Sequence, residues 1–347
     1  MQTPTNANDL HSSRRAAHGM GLVSEKHKKR HKSPMGKPLR LLTWNIRYDW
    51  MGTPISGQKV PRHTLHKDID ISKETPWLKR GSKLIAGLEL QAATHGIIAL
   101  QEVLHGQLVD IERGLNAHSP GKWKYIGVGR DDGVTRGEYS PIFYNTEVHE
   151  LISWRYFWLS EHPDRPGRGW DAASVRICTV GRFGFKSSDD ATHEFTVLVF
   201  IPFRPRLMQT THFDDQGRIA REKGAALIVE AVDFELKSSS CPVFLLGDLN
   251  SPVEDAAYRT IAARMHDLRD YCTETYGHYN TFTGFEGRKN DLSRIDHIFG
   301  SVTNGWKAGV FCVEENHFED EIWLSDHRLV MADVSIGKDL KAVKRLK

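Results

Sequence analysis

The sequence predicts an α/β or α+β fold of two layers or more. Three observations lead there. From Leu39 to about residue 337, short apolar runs of strand length alternate with longer segments of helical spacing. Asn, Asp, Glu and His residues recur where the apolar runs end, and strand ends are where sites tend to be built. No internal repeat and no linker divides this stretch.

The elements follow in order. Leu39–Ile46 reads as a strand, and Lys79–Ala93 as a helix, with Leu84, Ile85, Leu88 and Leu90 at helical spacing. Gly96–Gln101 is a strand and Leu104–Leu115 a helix. Tyr125–Gly129 and Ile142–Tyr144 are paired strands around a Gly/Asp-rich turn. Phe195–Phe200 is a β-rich run, and Ile219–Leu236 is an amphipathic helix. Val243–Gly247 is a buried strand, followed by a helix through Asp255–Arg264. Ile295–Phe299 and Leu329–Val334 are late strands.

The chain has 347 residues, of which 39% are hydrophobic and 26% charged, so core material is ample. No apolar run approaches the length of a spanning helix, and no stable membrane insertion is expected. No signal peptide is evident at the N-terminus. Cys178, Cys241, Cys272 and Cys312 are scattered, without a Cys-x-x-Cys pair. A zinc ribbon is therefore not indicated, and the expected location is intracellular, in cytoplasm or nucleus. The sequence leaves the oligomeric state open.

Charge divides the chain. Residues 1–38 hold eight Lys/Arg against two Asp/Glu and are expected to be a disordered basic tail. Residues 338–347 hold five against one, a basic C-terminal tail. The body between them, 39–337, carries 34 basic and 41 acidic side chains and is expected to be a single domain. An acidic body argues against binding duplex DNA mainly through charge.

Six motifs end strands: Thr43-Trp44-Asn45-Ile46-Arg47, Leu100-Gln101-Glu102, Thr210-Thr211-His212, Gly247-Asp248-Leu249-Asn250, Arg294-Ile295-Asp296 and Ser325-Asp326-His327. Each alone is weak; together, in this order, they are specific. With them the chain resembles the endonuclease/exonuclease/phosphatase superfamily, the deoxyribonuclease-I-like group, over about residues 39–337. The resemblance implies a four-layer αββα sandwich of two mixed β-sheets flanked by helices. It also implies attack of water on a phosphoester, assisted by Mg²⁺ with Mn²⁺ as the alternative.

The same resemblance implies roles. Glu102 is the main metal ligand, Asn45 supplies an amide oxygen beside it, and Asp326 lies next to the metal or the catalytic His. His327 is the base, oriented by Asp296, with Asp248 as the rival base or a ligand. Asn250 donates to a phosphate oxygen, and His212 stabilises the transition state or assists the leaving oxygen. Glu138 supports His212, and Arg47 is a further candidate substrate contact. Tyr139 is either a phosphate contact or a core residue, and Arg176 either a phosphate contact or one half of a surface ion pair.

Two departures stand out. Abasic-site endonucleases usually carry Asp or Asn where this chain has Arg47, which disfavours that branch. Val199–Met208, with Pro202 and Pro205, reads as an insertion at a catalytic strand, because two prolines cannot continue a central strand. It is expected to be either a retained intron or a genuine loop. Substrates left open are nucleic acid or a small phosphorylated metabolite. The alternatives are a noncatalytic phosphate- or RNA-binding relative and a sphingomyelinase-like lipid phosphodiesterase.

Overall fold

The computed structural model describes residues 36–49, 74–118, 120–186, 193–200, 217–285 and 292–341. His212 and most of the expected insertion, 201–208, lie outside the described residues. The first elements are β1 (Lys37–Asn45), α1 (Trp77–Ala92), β2 (Gly96–Gln101), α2 (His105–Leu115), β3 (Trp123–Ile126) and β4 (Ile142–Asn145). Next come β5 (His149–Trp158), β6 (Ile177–Phe185), β7 (Phe195–Phe200), α3 (Arg218–Ser238), β8 (Val243–Asp248) and α4 (Ala256–Ala262). The last are β9 (Met265–Asp267), α5 (Leu268–Tyr271), β10 (Glu274–Gly277), β11 (Asp296–Ser301), β12 (Trp306–Val313) and β13 (Val330–Ile336).

The strands form two mixed sheets. One has the order β10-β12-β13-β1-β2-β4-β3, the other β5-β6-β7-β8-β11-β9. In each, one central pair is parallel, β1 with β2 and β7 with β8, while their outer neighbours run antiparallel.

Why the sheets stack follows from the residues. Side chains alternate across a strand, so a strand covered on both faces must be apolar at every position. Leu41, Ile97 and Phe244 point into the core between the sheets, with Phe183, Phe195 and Phe311. Their sequence neighbours Leu42 and Ile98 face the other way, against Leu84 and Leu88 of α1 and Leu108 and Ile111 of α2. Leu245 does the same on the second sheet, against Ile228 and Val232 of α3 and Ile261 of α4. Three apolar interfaces between four layers result, each such side chain worth about 1.5–3 kcal/mol on burial. The fold is thus an αββα sandwich.

Some boundaries differ from the sequence expectations. β1 begins at Lys37, inside the expected basic tail. Leu340, inside the expected C-terminal tail, accepts a hydrogen bond from the Gly305 amide at 2.9 Å. Val199 and Phe200 are the last two residues of β7, paired with Thr179 and Cys178 and with β8. The strand therefore continues two residues into the expected insertion, because the prolines come only afterwards. The long strands β5, β6 and β12 have no counterpart among the expected elements. Trp154 and Trp158 belong to β5, an edge strand whose side chains are unevenly buried. All four cysteines are buried and free. No helix among the described residues is long and apolar enough to cross a membrane.

Candidate active site

The site lies where β1, β2 and β8 end and β11 begins. β1 and β2 are parallel, so Asn45 and Gln101 are in register and Glu102 follows at the same end. β8 and β11 are antiparallel, with Asp248 directly opposite Asp296. The two sheets thereby bring together residues separated by up to 251 positions only because both end at the same edge of the sandwich.

Turning off the strands needs unusual backbone. Arg47, Glu102 and Asn250 have φ of 58°, 58° and 48°, the left-handed region that non-glycine residues rarely enter. Such strain clusters where a site holds side chains in place. Gly247 precedes Asp248 with φ of 146°, and a Cβ there would stand 2.5 Å from the Phe200 carbonyl oxygen. Only glycine lets β8 approach β7 this closely at that point.

The carboxylates are tied to one another. Asn45 Nδ2 donates to Glu102 Oε1 at 3.0 Å and to Asp248 Oδ2 at 3.1 Å. Asn45 Oδ1 accepts from the Arg47 amide at 3.0 Å. Asn45 thus bridges Glu102 and Asp248 through its amide nitrogen while its oxygen accepts from the backbone. Asp248 also accepts from the Asn250 backbone amide at 2.8 Å and from Asn250 Nδ2 at 3.1 Å.

Asp296 Oδ2 lies 2.8 Å from His327 Nδ1, both side chains fully buried. The far nitrogen, Nε2, faces Asp248 Oδ2 at 3.8 Å and Asp326 Oδ1 at 4.0 Å. Burial alone would lower the pKa of His327, but Asp296, Asp248 and Asp326 together outweigh it and push it up to about 9. Ligand atoms of Asp248, Asp296 and His327 all lie within 4.8 Å of one another. Asp296 Oδ1 is buried and has no hydrogen-bond partner among the described residues. With Glu102 and Asp326 alongside, the donors are carboxylate oxygens, the type that hard divalent cations prefer. The residues present fit such an ion.

Around this centre the other expected residues have partners of their own. Arg47 is in a buried ion pair with Glu74, at 3.2 Å, and stacks on Tyr48. It remains close enough to Asp326 and Glu102 for both to raise its pKa against the effect of burial. Tyr139 is buried, and its hydroxyl lies 3.0 Å from His105 Nδ1 and 3.3 Å from the Val134 carbonyl oxygen. Glu138 binds two arginines, Arg130 Nη1 at 2.6 Å and Arg176 Nη1 at 3.8 Å. Burial and the neighbouring Arg130 lower the pKa of Arg176 to about 10, against the pull of Glu138, Glu102 and Asp248. Arg176 thus lies within electrostatic reach of the site.

Sequence reasoning missed several residues. Arg80 is fully enclosed on α1 and donates to the carbonyls of Thr75, Ile46, Arg47 and Leu324. Following Lys79, it reads in the sequence as a solvated helix position. Thr281 Oγ1 accepts from the amides of Ile295 and Asp296, at 3.1 and 3.0 Å, and fixes the start of β11. No motif marks it.

The chain matches the Endonuclease/Exonuclease/phosphatase family over residues 42–327, and it belongs to that family. The family comprises phosphoesterases and generally uses a divalent metal. Among solved structures, an endonuclease/exonuclease/phosphatase from Bacteroides vulgatus is 28% identical, with a TM-score of 0.68, covering 86% of this chain and 99% of that one. A Bacteroides thetaiotaomicron mannosyl-6-phosphatase is 27% identical, also at 0.68, covering 86% and 100%. The D. rerio TDP2 complexed with a single-strand DNA product is 13% identical at 0.54, covering 86% and 99%, and shows the fold alone. No curated protein matches the chain.

Proposed function

We propose that this phosphoesterase depends on Mg²⁺ and hydrolyses a small phosphorylated metabolite, with His327 as base and Asp296 as its orienting partner. The observation that carries the reading is the buried 2.8 Å contact between His327 Nδ1 and Asp296, with Nε2 turned toward Asp248 and Asp326. Glu102, Asp326 and Asp248 would hold the ion, which supplies neutralisation of the phosphate charge and a more acidic water.

The chain's own residues do the rest. Asp296 holds the imidazole in one orientation and stabilises its charged form. With the charge of the facing carboxylates, which helps keep His327 protonated, offset by a cation, a neutral Nε2 takes the proton of the attacking water. Asn45 spaces Glu102 from Asp248, and without such a donor two carboxylates this close would repel. Arg176, held by Glu138, is the proposed phosphate contact. His212 keeps its proposed place at the leaving oxygen on the sequence alone.

A small substrate is favoured over nucleic acid on two grounds. The body between the basic ends is acidic, with 34 basic against 41 acidic side chains. The mannosyl-6-phosphatase, at 27% identity, resembles the chain over the whole of its own length.

Turnover by the full chain, with Mg²⁺ and with chelator, tests this. The panel holds sugar phosphates, an aryl phosphomonoester, a bis-aryl phosphodiester, DNA, RNA and sphingomyelin. Chelator-sensitive release of phosphate from a monoester is expected. Preference for nucleic acid or lipid would overturn the substrate class, and silence on all of them would favour a noncatalytic binding role.

A further inference from the structure

The segment that carries Asp326 and His327 belongs to no strand, yet every one of its carbonyls is held by a side chain from elsewhere. Leu324 O accepts from Arg80 Nη1 at 2.8 Å. Ser325 O accepts from Asn316 Nδ2 at 2.7 Å. Asp326 O accepts from Thr283 Oγ1 at 2.9 Å. His327 O accepts from Asn316 Nδ2 and from Trp44 Nε1, both at 2.9 Å. Among the described residues, Asn316 is the one whose side chain donates to the carbonyls on both sides of Asp326. Its side chain is completely buried, and Nδ2 also faces Thr283 Oγ1 at 3.3 Å. Turned over, the amide would set its oxygen against two carbonyl oxygens, so the donor orientation is imposed by the site.

We propose that Asn316 is a positioning residue for the reaction: its amide clips the carbonyls of Ser325 and His327 and so aims the Asp326 carboxylate and the His327 imidazole at the reacting centre. Asn316 lies in the loop after β12 and is separated from the motif by nine residues. The main-chain turn between them is closed by the Leu324 amide donating to Asn316 O at 2.9 Å. Without the clip, the two carbonyls keep their burial and lose their shared donor. The segment then shifts by a fraction of an ångström or more, and misplacement of about 1 Å costs on the order of a hundredfold in rate.

The proposal rests on the assignment of His327 and Asp296 above, and the test separates the two. Asn316→Leu removes the donors at similar volume, and Asn316→Asp replaces a donor by an acceptor. Aryl phosphomonoester turnover with Mg²⁺ is measured alongside thermal unfolding. The His327 Nδ1 proton is followed by NMR in metal-free protein, where it needs no activity to be seen. The expected result is a tenfold to hundredfold loss of kcat with KM within about twofold, and a shifted or broadened His327 proton in folded protein. Wild-type kcat and a wild-type His327 proton in either folded variant would overturn the proposal. Loss of turnover that only tracks the unfolded fraction would overturn it too. A wild type without turnover refutes the functional reading and leaves the proton signal to decide this one. Should neither variant fold, the wild-type side-chain amide of Asn316 decides: slow solvent exchange of its protons supports the clip, and fast exchange overturns it.

Discussion

His327 and Asp248 come from different sheets' margins, yet His327 Nε2 and Asp248 Oδ2 stand 3.8 Å apart with both side chains fully buried. That spacing is too long for a hydrogen bond and short enough for strong electrostatic coupling. The imidazole is therefore gripped on one side by Asp296 and attracted on the other by carboxylates that would serve a cation. The first prediction follows from this asymmetry.

Asp296→Asn removes the charge behind Nδ1 and lets the wrong tautomer form. Turnover is expected to fall by about 10²–10⁴ in folded protein, and the thermal transition to move down as well, because the buried imidazolium loses its paired charge. In the metal-free wild type the raised pKa means that His327 stays charged until about pH 9. Its contribution to stability is then present below about pH 6.5 and is lost as pH rises through 9. An NMR titration of His327 should show this midpoint, moved down in Asp296→Asn; an unmoved midpoint would refute the pairing.

Glu102 and Asp248 are predicted to act through the cation. Glu102→Gln and Asp248→Asn should each remove most turnover while leaving the protein folded. Chelation of the wild type should abolish turnover, and added Mg²⁺ should restore it. Calorimetric titration with Mg²⁺ should show weaker binding in the Glu102 variant. Full activity in the presence of chelator would exclude this role.

Gly247 tests the close approach of β8 to β7. Gly247→Ala puts a Cβ 2.5 Å from the Phe200 oxygen at a φ of 146°. A loss of about 2 kcal/mol or more is expected, which is a fall in Tm of roughly 3 °C or more in a domain of this size. A calorimetric scan decides it, and an unchanged Tm would mean that the strands separate at no cost.

His149 predicts acid sensitivity. Its ring is buried between Phe185 and Phe195, and Nε2 donates to the His95 carbonyl at 3.3 Å. Burial pushes its pKa down to about 4. The unfolded chain, near 6.5, then binds the extra proton first. This stability is present above pH 6.5 and is lost as pH falls through 4, on the order of a few kcal/mol. Urea unfolding at pH 8 and 4.5 should show that dependence in the wild type and a smaller one in His149→Phe. Equal pH dependence in the two proteins would count against it.

What the sequence by itself determined was local. Continuous apolar runs marked β1, β2, β7 and β8, which are covered on both faces, and helical spacing marked α1 to α4, each of which has one buried face. Asn45, Glu102, Asp248, Asn250, Asp296, Asp326 and His327 stood at strand ends in family order, and that much was legible. β5 was not, because an edge strand with half-exposed aromatics shows no clean alternation. Tyr139 and Arg47 could not be separated from substrate contacts, because a phenol's or a guanidinium's partner lies far away in sequence. Only the tertiary structure put Arg47 on Glu74, the Tyr139 hydroxyl on His105, and Asn316 and Arg80 on the carbonyls around Asp326. Hydrogen-bond donors that hold a backbone from across the fold leave no periodic trace, since their partners are set by the packing of two sheets and not by neighbours along the chain.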